Sequence, residues 1–267
     1  MKDDYATFRQ LSVWVALAVA FPIGVSAQTS PTDGGWQFHA TPYLWLSGLQ
    51  GNVTTGGGRT IPVDASFGDI LDATDSLIGL AGYFDARKGK WGIFTDVTFI
   101  KMGVDGLVQE DGLIDLTTRL SLVEVGGLYR LADSGAASDK ESSVDFVYGL
   151  RSTAIELSTD LKPIDGVTEG RELFKNKQNW LDPFFGVRGE AALAKRISLV
   201  GSGDIGGFGV GSDFTWKAFG GVNIRVAEWF GILAGYRALG QDYKNSDDDF
   251  AWDMTMHGPI VGFGFTF

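Results

Sequence analysis

From Trp36 to the end of the chain, apolar and polar residues alternate with a period of two. In the first run the even positions are Trp36, Phe38, Ala40, Pro42, Leu44 and Leu46, against Gln37, His39, Thr41, Tyr43, Trp45 and Ser47. Residues 91–99 set Trp91, Ile93, Val97 and Phe99 against Asp96 and Thr98. Residues 144–151 set Val144, Phe146, Tyr148 and Leu150 against Asp145 and Arg151. Residues 181–193 set Leu181, Phe185, Val187 and Leu193 against Asp182, Arg188 and Glu190. Alternation of this kind is the signature of β-strands with one apolar and one polar face. The runs last about 10–14 residues, longer than the strands of most soluble sheets and matched to a tilted strand crossing a bilayer. A soluble sandwich is the alternative, but its polar face would look outward and would not need aromatic ends.

The pattern predicts ten strands, at about 36–54, 76–87, 90–104, 114–131, 143–158, 179–193, 196–209, 213–226, 229–243 and 250–267. An even number returns both ends of the barrel to one side. The expected fold is therefore all-β: a closed antiparallel transmembrane β-barrel of about ten strands, with eight and twelve as the neighbouring even counts. "RKG", "LAKR" and "VAEW" read as tight periplasmic turns, with "LADSGAASDKES" the longer member of that set. The stretches 55–75, 105–113, 159–178 and 242–249 read as longer, acidic extracellular loops, and "FGDILDATDS" in the first has the makings of a short helix. Trp36, Trp91 and Trp229 fall at periplasmic strand ends and Trp45, Trp180, Trp216 and Trp252 toward the other, which predicts two aromatic belts at the water–lipid boundaries. In 114–131 the apolar parity changes from even to odd near Leu122, which predicts a bulge at Leu122–Glu124 that keeps Glu124 out of lipid.

The chain ends in "PIVGFGFTF", with Val261, Phe263, Phe265 and Phe267 on one parity. This terminus resembles the C-terminal assembly signal of Gram-negative outer-membrane proteins, which the barrel assembly machinery reads. As a whole, "PYLWLSGLQGNV" (42–53), "ARKGKWGIFTDVTF" (86–99), "GDIGGFGVGSDFTW" (203–216) and "MHGPIVGFGFTF" (256–267) resemble a family of Gram-negative outer-membrane β-barrel proteins of uncharacterised activity. The likeness spans roughly 36–267. It implies a barrel in the cell outer membrane and carries over no catalytic residue.

Composition agrees with an exported barrel. Residues 1–27 read as a secretory signal peptide, with Lys2 and Arg9 ahead of an apolar run and Val25-Ser26-Ala27 at a cleavage site; an uncleaved anchor helix is the alternative. Residues 28–35 read as a disordered lead-in, and 36–267 as the barrel. Glycine, at 38 of 267 residues, is about twice its usual share, and aromatics reach 13%. There is no cysteine, so no disulfide staples the fold. The net charge of −11 argues against nucleic acid as a partner. The expected surroundings are outer-membrane lipid and lipopolysaccharide.

Candidate chemistry is sparse. "GSGDIG" (Gly201, Gly203, Gly206) matches a dinucleotide-binding fingerprint, with Glu228 where a ribose-binding acid belongs. That site needs a helix after Gly206, and "GFGVGSDFTW" continues glycine-rich alternation instead. The glycines therefore belong to a strand with Ile205 toward lipid and Asp204 toward the lumen. The two histidines, His39 and His257, have no neighbouring serine arranged for a lipid hydrolase, and no catalytic residue, cofactor or metal site is expected. The run Asp247-Asp248-Asp249 fits no Ca²⁺ loop. What remains is inward charge: Asp96, Glu124, Arg151, Arg188, Glu190, Asp204, Lys217 and Arg237. Asp204 is expected opposite Lys217, with Lys217 facing Arg237 and Asp204 shared between the two cations. Three functions stay open. The first is a non-enzymatic envelope-structural or surface-contact barrel with a charge-networked narrow lumen. The second is a porin-like small-solute pore lined by Arg188, Glu190, Asp204, Lys217 and Arg237. The third is a membrane-embedded hydrolase.

Overall fold

A computed structural model of the chain describes residues 35–55, 58–74, 76–109, 112–134, 142–162 and 171–267. The signal expected over 1–27, almost all of the lead-in and most of "LADSGAASDKES" lie outside them. The elements are β1 (Gln37–Trp45), β2 (Gly48–Thr55), β3 (Arg59–Ala65), α1 (Phe67–Ala73), β4 (Ser76–Lys88), β5 (Trp91–Gln109), β6 (Gly112–Asp133), β7 (Ser143–Lys162), β8 (Arg171–Ala194), β9 (Ile197–Gly207), β10 (Phe214–Arg225), β11 (Phe230–Asn245) and β12 (Phe250–Thr266).

Each strand from β4 to β12 pairs antiparallel with the next, and β1 pairs with both β4 and β12, which closes the sheet. Closure gives every backbone group in the lipid zone a partner, the condition for a spanning sheet. β1 and β2 together make one stave. β1 pairs with the C-terminal half of β12 (Tyr43 with Gly262) and β2 with its N-terminal half (Val53 with Trp252). The ring thus has ten staves, as the alternation predicts. Where β1 gives way to β2, the Leu46 N–H donates to the Pro259 carbonyl at 3.0 Å. A Cβ on Gly258 would lie 2.0 Å from the Leu46 carbonyl oxygen, so only glycine allows this approach.

β3 is an addition within the expected first long loop. It pairs with β2 as a hairpin above the ring. The short helix expected there forms as α1, started by a capping box in which Asp69 N–H donates to the Ser66 hydroxyl and Ser66 N–H donates to the Asp69 carboxylate. The strands of one side are longer than alternation suggested. β6, β7 and β8 run 22, 20 and 24 residues, so the expected loops at 105–113 and 159–178 are largely strand. β9 and β10 have only 11 and 12, so the rim is tall on one side and low on the other.

Two expectations need correction. β6 has no bulge at Leu122–Glu124. Its pairing with β5 and β7 runs unbroken from Ser121 to Val125, and its register shifts against β7 only at Arg130/Ala132. Leu120 and Leu122 face inward beside Glu124, because the extracellular half of the interior is itself apolar. Among the described residues the extracellular tryptophan belt is reduced to Trp216, which alternates with the inward Thr215 and Lys217 on β10 and so faces lipid. Trp45, Trp180 and Trp252 point into the lumen and are buried. They pack with Leu122, Leu239, Met254 and Met256 in one apolar cluster. The periplasmic belt stands, with Trp36, Trp91 and Trp229 exposed to lipid.

Candidate functional site

The site is the interior of the barrel, and strand parity builds it. Asp96 on β5, Glu124 on β6, Arg151 on β7, Asp204 on β9, Lys217 on β10 and Arg237 on β11 all project inward. Three cations and three carboxylates therefore meet in one cluster. Arg151, with 0% exposure, is its hub. Its Nε donates to Glu124 at 2.8 Å, its NH2 to Asp204 at 2.6 Å and its NH1 to the Thr215 hydroxyl at 2.9 Å. Lys217 donates to Glu124 and lies 3.5 Å from Asp204. Arg237 donates to the Tyr43 hydroxyl at 2.7 Å and to Asp96 at 3.3 Å, and its NH2 lies 3.9 Å from Glu124. Tyr43 in turn donates to Asp96 at 2.6 Å. β6 and β11 stand on opposite sides of the ring, so the Glu124–Arg237 contact crosses the whole lumen.

Aromatic faces support the cations. Arg151 lies 4.9 Å over the Phe184 ring, and Arg237 lies 4.6 Å over Trp45. Such contacts are strongest where water is excluded, and they hold each guanidinium while its edge donates to a carboxylate.

The expected register of Asp204 and Lys217 is correct, since the two are direct cross-strand partners. The position of Arg237 is not as expected. It pairs with Phe219, one step along from Lys217, and the acid between Lys217 and Arg237 is Glu124 rather than Asp204. Arg188 belongs to a second group nearer the periplasm. It donates to the Tyr83 hydroxyl and, at 3.2 Å, to Asp85, which also binds His39 Nδ1 at 3.0 Å. In the same lower layer, Asp145 accepts from Arg87 at 2.6 Å and from Arg130 at 2.5 Å. Glu190 lies opposite Ser143, lower still, and makes no ion pair among the described residues. The five candidate lining residues are thus spread over three levels rather than gathered in one constriction.

A list of inward charges misses the partners that are not formally charged. Tyr43, Tyr83, Phe184 and Thr215 occupy inward positions and complete the network, and parity alone could have flagged them. The C-terminal residues Val261, Phe263 and Phe267 face lipid, and β12 has a neighbour on each side. His257 also lies on the outer face, 2.6 Å from the Tyr236 hydroxyl. Among the described residues no cluster of three or more potential metal ligands occurs.

No protein-family model and no characterised sequence matches the chain. Solved structures do. The outer-membrane protease OmpT of Escherichia coli superposes with a TM-score of 0.52 at 9% identity, covering 86% of this chain and 97% of that one. Ail, the attachment invasion locus protein of Yersinia pestis, gives 0.35 at 13% identity, covering 88% and 100%. The translocator domain of the autotransporter NalP from Neisseria meningitidis gives 0.33 at 13%, covering 88% and 89%. The likeness to OmpT is one of fold and extends to no residue role.

Proposed function

Starting from its place as a closed β-barrel of the cell outer membrane, we propose that the protein is a non-enzymatic, non-conducting barrel with an envelope-structural or surface-contact role. One observation carries the reading: the lumen is crossed by side chains at successive levels. The Arg151–Glu124–Asp204–Lys217–Arg237–Asp96 cluster spans it, with Leu122, Leu239, Met254, Met256 and the inward tryptophans packed above. A ring of about ten strands is only slightly wider than one that side chains just fill. Neutral pairing within the cluster leaves no unbalanced charge to draw an ion through. The β2–β3 hairpin, α1 and the tall rim of β6–β8 supply the surface for contact outside the cell, with lipopolysaccharide as the immediate neighbour.

Reconstitution in planar bilayers tests this. The expected result is no steady conductance. A steady conductance whose ion selectivity changes with Lys217→Glu overturns the reading in favour of a solute pore. Cleavage of a lipid or peptide that is lost with His39→Ala overturns it in favour of a hydrolase, since His39 with Asp85 is the His–carboxylate pair of the lumen.

A further inference from the structure

The lipid face of the barrel is dented near its periplasmic end. A groove of about 860 Å³ opens between Trp36, Lys88 and Trp91 and rises past Ile93 and Gly127 to Leu150. Its course follows the strand registers, with Ile93 opposite Gly127 and Val125 opposite Leu150. The floor exists because Gly127 has no side chain. A Cβ there would lie 2.4 Å from Cζ of Tyr148, so the tyrosine ring folds down over the glycine and its outer face becomes the floor. The lipid-side walls are apolar and open, with Trp91 60% and Ile93 61% exposed, and the inward Phe184 backs the groove behind Gly149.

The one charged residue in the lining is Lys88, at the mouth, with Lys90 beyond it in the same tight turn. Neither makes an ion pair among the described residues. The mouth also lies within the periplasmic tryptophan belt, so it sits at head-group level and the groove runs inward from there. A cation at the boundary and an apolar trough leading into the membrane fit an amphiphile with an anionic head and a hydrocarbon tail.

We propose that this groove retains one phospholipid of the periplasmic leaflet, its phosphate on Lys88 and one acyl chain along the floor that the Tyr148 ring makes over Gly127. Lipopolysaccharide occupies the opposite leaflet, and at its Leu150 end the groove has no basic residue in its lining. The full-length protein, extracted from outer membranes in mild detergent and weighed intact by native mass spectrometry, provides the test. The expected spectrum carries one adduct of phospholipid mass per chain. Lys88→Glu should lower the retained fraction roughly tenfold by turning attraction into repulsion at the head group. Leu150→Trp should lower it too, by filling the groove with Lys88 left in place. Both variants should keep the heat-dependent gel shift of a folded barrel. Four results overturn the proposal: no adduct, an adduct indifferent to both substitutions, an adduct of lipopolysaccharide mass, or a dimer cross-linked through Ile93→Cys, which would make the groove a contact between copies.

Discussion

Arg151 holds two carboxylates and a hydroxyl from three other strands with no exposure to water. Ion pairs buried in this way add little net stability over a packed apolar core, because desolvation offsets their attraction. Removing one member is different, since it strands the others. Arg151→Ala should therefore lower unfolding free energy by roughly 3–5 kcal/mol, measured by urea titration in vesicles with tryptophan fluorescence. Adding Glu124→Ala should cost much less than the sum of the single changes, because the orphaned acid goes with it. At the surface, Asp69 shows the same chemistry in water. The Ser66 hydroxyl, and then its backbone N–H, hold the Asp69 carboxyl below its ordinary value. A lowered folded pKa means that the cap contributes fully above the unfolded carboxyl value and is lost as pH falls through the lowered one. Ser66→Ala should move the Asp69 titration, followed by carboxyl carbon NMR, back up toward that ordinary value.

At the scale of elements, each strand has a lipid face and a lumen face, and one substitution can distinguish them. Phe263→Lys places a charge on the lipid face of β12 and should destabilise the barrel by about 2–4 kcal/mol if it sits near the bilayer midplane, less toward either boundary, as read by the same urea titration. It should also reduce the amount assembled in the outer membrane, because it interrupts the aromatic run of Val261, Phe263, Phe265 and Phe267. Most strands were legible from alternation because lipid imposes one strict rule on one face. The misreadings share a cause on the other face. The lumen is polar near Asp96 and Arg151 and apolar near Leu122 and Met254, so parity could not say which apolar set of β6 looked outward. The same ambiguity sent Trp45, Trp180 and Trp252 to a belt when they fill the interior. Within the site, the inward charges were readable one strand at a time. Their assembly around Glu124 was not, because a contact across the ring depends on the stagger of all the intervening strands.

For the whole molecule, closure predicts a compact form that resists detergent until heated, so unheated and boiled samples should migrate differently on a gel. A single band under both conditions would contradict a closed barrel. The cross-lumen cluster has a consequence for how such a chain reaches that state. Neighbouring strands can zip together pair by pair, each needing only the one before it. Glu124 and Arg237 meet only when the sheet has curled far enough to bring opposite staves face to face, because no strand pairing joins β6 directly to β11. In an open, curled sheet Glu124 already faces Arg151 and Asp204 already faces Lys217 across neighbouring strands, but all six charges lie in a wet trough and their contacts across the lumen are unmade. They therefore keep the unfinished chain soluble, and dehydration falls on the final step, when their partners arrive together. Assembly of this barrel is thus expected to end in a single cooperative closing event, with half-closed forms disfavoured because they would strand some of those charges half-dried and unpaired.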